Sequence, residues 1–282
     1  MRPRHGFTLV EILVALVIMG VVSGAVYQLL YTTQRLSRAQ TEQVSLQSNV
    51  RTGSLLVPAE LREINTVVGG TVDQNDVLSI AADAVTYRGM RGLGTVCQAP
   101  AVNNQIQLLR STYSGSRDPV AADSLYFFIE NDPDREDDDV WMPLRITSVA
   151  SGAVCPGANG ITLNTAANAA VIGLAVGTPV RIYEVMELKL HDQDGQSWLG
   201  ARSISAGDAV QPVLGPLVSG NGFALEYLDG NGVATADKTA IKSIRITVRG
   251  LTDELVRSSG TYVGHPEEVL VSQVLLRNSI RP

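Results

Sequence analysis

The chain has 282 residues, 45% of them hydrophobic but only 5% aromatic, enough apolar material for one sizeable core or two small ones. With a net charge of -6 and no Lys/Arg cluster anywhere, it lacks the basic footprint of a phosphate-backbone binder, so no direct nucleic-acid binding is expected.

The first element is an apolar run from Phe7 to Leu30, FTLVEILVALVIMGVVSGAVYQLL, whose only charge is Glu11. At ~1.5 Å per residue a helix of this length reaches about 36 Å, sufficient to cross a bilayer with some tilt. Arg2 and Arg4 precede the run, which predicts a cytoplasmic N-terminus and places everything after Leu30 outside. An ionised acid in hydrocarbon costs roughly 3 kcal/mol even on the lenient insertion scale, so Glu11 needs a partner or a function. A secretory signal peptide cut after Ala25, with small residues Ser23 and Ala25 where such a cut needs them, explains the basic start but not Glu11. A plain membrane anchor leaves it equally unexplained.

These residues resemble the N-termini of type IV pilins and type II secretion pseudopilins. Their precursors carry a short basic leader ending in Gly, then Phe-Thr-Leu-hydrophobic-Glu and a long apolar helix. The resemblance implies that a prepilin peptidase cuts between Gly6 and Phe7 on the cytoplasmic side and N-methylates Phe7. Gly6 suits that role because a residue without Cβ lets a protease approach the backbone closely. The cut frees a positive amine at Phe7, one helical turn before Glu11 and on the same face. In the family the pair forms between neighbouring subunits, so the resemblance makes Glu11 an assembly device that neutralises an incoming amine and sets axial register. Within the same span Gly20 and Gly24 form a small-xxx-small pair suited to close helix packing.

Behind the span, Leu36, Val44, Val50, Leu55, Leu56, Leu61 and Ile64 recur at roughly helical intervals among polar residues, and no Pro or Gly falls between Ala25 and Gly53. The helix is therefore expected to continue, with Gly53 or Pro58 bending or interrupting it. Past about residue 66 the pattern changes to short apolar or alternating runs that read as strands: DSLYFFIE (123 to 130), VRIYEVMELKL (180 to 190), FALEYLD (223 to 229), AIKSIRITVRG (240 to 250) and EEVLVSQVLLRN (267 to 278). In the fourth, Ile244, Ile246 and Val248 alternate with Arg245, Thr247 and Arg249, as in an antiparallel sheet with one wet face. Residues 89 to 122 and 150 to 178, rich in small residues, read as loop insertions or weakly patterned small strand pairs.

One cysteine falls in each of those stretches. Cys97 and Cys155 belong to no CxxC pair, which removes zinc and thioredoxin-type readings and leaves either a single disulfide pinning two loops or two buried thiols. A bridge, favoured by the export signal, would close a loop of about 58 residues, worth on the order of 4 kcal/mol in the chain-entropy model.

The resemblance extends loosely beyond the N-terminus. SLQSNVRTGSLLVPAELREI is similar to the end of the long helix in PilW-like minor pilins and J-type minor pseudopilins, and FALEYLDGNG, IKSIRITV and the terminal VLLRN also resemble that group. Chain length favours the PilW-like proteins.

Candidate chemistry is sparse. In ENDPDREDDD the alternation of Asp132, Asp134, Glu136 and Asp138 suggests a calcium loop, but counting from Asp132 the sixth and twelfth places hold Asp137 and Pro143 where an EF-hand needs Gly and an acid. A solvated loop is expected. LDGNG (228 to 232) reads as a tight turn and HDQDGQ (191 to 196) as a surface loop rather than metal sites. Neither His191 nor His265 sits in a recognisable motif, and GxSxG, HExxH and GxxxxGK[ST] are absent, so no enzyme activity and no cofactor are expected.

The expected architecture is α+β, with a leader at 1–6, a membrane or fibre-core half-helix at 7–30, an amphipathic half-helix at 31–65 and an antiparallel β-rich domain at 66–282. The function the resemblance implies is that of a minor pilin that initiates or caps a type IV pilus. Its implied partners are prepilin peptidase, other minor and major pilins and an inner-membrane assembly platform. A pseudopilin of type II secretion and an exported periplasmic binding protein or hydrolase are the alternatives. The implied place is the bacterial inner membrane, single-pass with the globular part outside the cytoplasm, and then a pilus or periplasmic fibre.

Overall fold

The structure is a computed structural model that describes residues 8–66, 75–132, 134, 139–257 and 263–276. One helix, α1 (Leu9–Arg62), is followed by fifteen strands among the described residues. They are β1 (Val77–Ile80), β2 (Ala84–Thr95), β3 (Gln105–Leu109), β4 (Ser114–Gly115), β5 (Ser124–Ile129), β6 (Val140–Cys155), β7 (Ala158–Thr165) and β8 (Pro179–Gln193). The rest are β9 (Gln196–Ser203), β10 (Gln211–Leu217), β11 (Phe223–Leu228), β12 (Ser243–Leu251), β13 (Val256–Arg257), β14 (Val263–Gly264) and β15 (Glu267–Leu275). Among the described residues these strands pair antiparallel, which is the α+β arrangement expected from the sequence.

The chain forms two compact units, Met1–Ser48 with Thr252–Pro266, and Asn49–Leu251 with Glu267–Pro282. In the first, residues 9–38 of the helix are exposed along their whole length. Its other described part is the β13–β14 hairpin, closed by the Thr252 carbonyl against His265 Nδ1 at 2.7 Å. The Glu254 amide donates to Glu42 Oε2 at 3.4 Å.

The second unit is built on the strand path β11-β12-β10-β9-β8-β5-β6-β7-β3, with β15 beside β12 and β1 and β4 beside β2, which itself pairs with β8. Strand β6 pairs with β5 through its first half and with β7 through its second, with a register irregularity between Ile146 and Ser148 where it changes partner. A strand that bends out of one layer into another encloses apolar surface between them. Ile106, Leu108, Leu125, Phe127, Ile146, Leu163, Val180 and Ile182 fill that space at 0% exposure. The stretches that read as loop insertions or small strand pairs thus contribute β3, β4 and β7, and their small residues permit the close approach: a Cβ on Gly160 would lie 2.7 Å from the Leu108 carbonyl oxygen.

Residues 49–62 of α1 belong to this unit, and helical geometry decides which side chains they bury. Measured from Val50, Val57 and Leu61 lie within about 20° of its face, whereas Leu55 and Leu56 are turned about 140° and about 120° to either side. Accordingly Val50, Val57 and Leu61 are 0% exposed while Leu55 is 65% exposed. This corrects the expected stripe: Leu36, Val44, Leu55 and Leu56 are all exposed, and Val57 joins the buried set. Gly53 and Pro58 do not interrupt the helix, which runs unbroken to Arg62. Gly53 lies where β10 comes close, since a Cβ there would collide with the Leu214 side chain, and Asn49 Nδ2 donates to the Gly215 carbonyl at 3.1 Å. Leu61→Ala should lower stability by about 2–5 kcal/mol through the cavity it leaves, whereas Leu55→Ala should change it by less than about 0.5 kcal/mol; urea unfolding of the two variants checks the contrast.

Candidate functional site

The N-terminal site is assembled by the start of α1. Thr8 is the residue before the helix and Glu11 its third, the spacing of a capping box. The Thr8 amide donates to Glu11 Oε2 at 2.9 Å, the Thr8 hydroxyl contacts the same oxygen at 3.2 Å, and the Glu11 amide donates back to Thr8 Oγ1 at 3.3 Å. Two backbone donors that the first turn would leave bare are satisfied this way, and the carboxylate sits at the positive end of the helix dipole. Glu11 thus has a partner within its own chain that the sequence analysis does not anticipate, although Thr-Leu-Val-Glu carries the [ST]-x-x-[DE] signal. Gly6 and Phe7 lie outside the described residues. From Leu9 onward the helix is long and apolar enough, by length and composition, to cross a membrane.

The other candidate residues fall elsewhere. Cys97 and Cys155 are joined by a disulfide with Cα atoms 5.6 Å apart, tying the segment between β2 and β3 to the end of β6. Asp132 accepts from the Asp134 amide at 3.1 Å as a local turn, while Glu136 and Asp138 lie outside the described residues. No group of acids, His and Cys that could hold a metal occurs among the described residues. In LDGNG the Asp229 carboxylate accepts from the amides of Asn231 at 2.8 Å and Val233 at 2.9 Å, which makes it a turn-forming residue. HDQDGQ is the β8–β9 hairpin tip, where Asp194 and Gly195 both have positive φ (54° and 81°), as a type I′ turn requires.

A polar cluster in the second unit has no sequence signal, because its members are far apart in the chain. Between Met90 and Gly92 the β2–β8 register slips by one residue, leaving Arg91 as the extra residue of a bulge. Arg91 Nε donates to Glu184 Oε2 at 2.9 Å and its Nη1 lies 3.6 Å from Glu60 of α1. Arg117 forks onto both oxygens of Asp123 at 2.7 Å and reaches Glu184 at 2.6 Å. Burial works to raise the Glu184 carboxyl, but the hydrogen bonds from Arg91 and Arg117 outweigh it and hold the pKa below the usual carboxylate range. The alternating charges brace α1, β2, β8 and the segment before β5 against one another.

Beside this brace is an open cleft of ≈ 580 Å³ lined by residues that include Asp76, Met90, Arg91, Ser116 and Arg181. Asp76 is buried, and burial pushes its pKa up to about 6 although the Asn65 amide donates to its Oδ2 at 2.8 Å and Arg88 opposes the rise.

Residues 1–27 match the family model described as the prokaryotic N-terminal methylation motif. No curated protein and no solved structure matches the chain. The chain therefore carries a type IV pilin-like prepilin N-terminus, a motif that implies processing by prepilin peptidase, assembly with other pilins and membrane anchoring through the N-terminal helix.

A group whose folded pKa exceeds its unfolded value favours folding at low pH, so the protonated Asp76 is accommodated below pH 3.8 and burial of its charge costs progressively more as pH rises through about 6. Asp76→Asn removes that ionisation. Its stability relative to the natural chain should be unchanged near pH 4 and should grow by up to about 3 kcal/mol by pH 7, as measured by urea unfolding of both chains across that range.

Proposed function

We propose that the chain is a minor pilin, similar to the PilW-like group, that is anchored in the bacterial inner membrane by its N-terminal helix and joins other minor and major pilins to initiate or cap a type IV pilus. The observation that carries this reading is the coincidence, at one helix start, of the N-terminal methylation motif and an acid within a run of exposed apolar residues. The peptidase would cut between Gly6 and Phe7 and methylate Phe7, leaving the amine in the membrane beside the first helical turn.

The geometry adds a physical step to that picture. Thr8 engages only Glu11 Oε2; the second oxygen, Oε1, makes no hydrogen bond among the described residues. In a lone subunit the capping box keeps the acid from being bare in hydrocarbon. In a fibre the same carboxylate can accept the cationic amine of a neighbouring subunit without releasing Thr8, and the pair of charges, costly when separated, selects the register in which both are met. The globular domain, held outside the cytoplasm, follows the helix into the fibre.

Two variants test this. Glu11→Gln keeps the hydrogen bond from the Thr8 amide but not the charge; it should be processed and inserted normally and yet be recovered in sheared fibres at roughly a tenth of the natural level or less, the effect of losing about 1.4 kcal/mol of recruitment. Undiminished recovery would remove the charge-pairing role. Gly6→Leu should accumulate as the uncut precursor on immunoblots, and normal processing would remove the assigned cleavage site.

A further inference from the structure

At the end of the apolar run and just beyond it, the first unit carries a second ordered feature on α1 that the capping box does not use. Tyr27 and Tyr31, one helical turn apart, stack with ring centroids 6.5 Å apart, and the Arg35 guanidinium lies 5.5 Å above the Tyr31 ring. Both tyrosines are exposed, at 72% and 53%. Arg38 lies on the same side: the four positions span about 80° of helix surface. Arg35 and Arg38 are also the only charged residues between Ile12 and Thr41, and neither has a carboxylate partner among the described residues.

Axial position fits this face to one environment. Tyr27 and Tyr31 stand about 27 and about 33 Å along the helix from Leu9, either side of the ~30 Å thickness of a bilayer's hydrocarbon core. Arg35 and Arg38 stand about 39 and about 44 Å along, just beyond the roughly 5–7 Å headgroup layer, which their long side chains reach by leaning toward the helix N-terminus. Tyrosine is favoured at that boundary because its ring is apolar and its hydroxyl is wet, and an unpaired guanidinium there meets phosphate oxygens in bidentate geometry. The cation–π contact draws the Arg35 side chain back one turn toward Tyr31, so its guanidinium sits nearer the hydrocarbon boundary than its own Cα does, at the level of the headgroups.

We propose that Tyr27, Tyr31, Arg35 and Arg38 form a lipid-binding face, with the arginines gripping the phosphates of phospholipid headgroups at the outer surface of the membrane, so that this ladder sets how deep the subunit sits. It rests on the membrane anchoring proposed above. The depth it sets fixes the plane of Glu11 at the opposite surface, which is the plane in which a waiting subunit must present its acid.

The test uses the full chain in phospholipid nanodiscs holding one copy each. Cys97 and Cys155 are bonded to each other, so a cysteine introduced at Ala15, Gln28, Gln34 or Gln40 takes a single nitroxide label. Collision rates with oxygen and with a water-soluble nickel chelate report depth. The label at position 15 should be in hydrocarbon, and the change from lipid to water should fall between 28 and 34. Changing Tyr27 and Tyr31 to Ala and Arg35 and Arg38 to Gln together should move that change by at least one turn, about four residues, while position 15 stays in hydrocarbon. A changeover outside that interval in the natural chain, or one that the fourfold variant leaves in place, overturns the lipid-binding face; an unmoved changeover combined with reduced fibre recovery would assign the face to a neighbouring subunit instead. A water-exposed label at position 15 would sink the membrane anchoring itself, and the ladder's role with it.

Discussion

A carboxylate three residues into an apolar helix has to be satisfied wherever that helix goes, and this requirement organises the N-terminal end of the protein. Water is scarce for Glu11 at the edge of a membrane and absent in a fibre core, and leaving an acid bare in an apolar core costs several kilocalories per mole. The chain answers locally with Thr8, whose amide and hydroxyl both meet Glu11 Oε2. That arrangement closes the exposed end of the helix and leaves the second oxygen free for a cation. The cap and the proposed inter-subunit pair are therefore compatible uses of one side chain, because a carboxylate offers about four acceptor directions and the capping box occupies only part of them.

The other end of the same helix meets the opposite requirement. Val50, Val57 and Leu61 are buried in the second unit, and Glu60 enters the charged brace through Arg91. One continuous element thus presents an apolar exterior over its first twenty or so residues and a single buried stripe over its last turns. A subunit that must leave a lipid environment and enter a fibre while its folded domain stays intact needs such a division. The brace ties β2 to β8 through hydrogen-bonded charges and reaches α1 through the Arg91–Glu60 ion pair, and the disulfide closes the lobe formed by β3 and β7.

Much of this is legible in the sequence, and the parts that are not share a cause. Period-two alternation places the strand around Ile244, Ile246 and Val248, and the apolar run places the helix, because those signals are local. Residues 89–122 and 150–178 read as loop insertions or small strand pairs because Gly, Ala and Asn carry little hydrophobic pattern; they form strands because β6 brings their few large side chains, Ile106, Leu108, Ile161 and Leu163, into one core. The bulge at Arg91 and its ties to Glu60 and Glu184 connect residues from distant parts of the chain, which no spacing rule reports. At the functional end the motif residues can be named from sequence, whereas the Thr8 partner emerges only with the structure, although its spacing is in plain view.

The account depends on where the mature chain begins, because a charge pair near Glu11 requires an amine one turn away. Mass spectrometry of the N-terminal peptide, taken from protein purified out of its native membrane, reads this directly. The account predicts a chain starting at Phe7 with one added methyl on its nitrogen. A chain starting at Val26, or one that retains Met1, would contradict it.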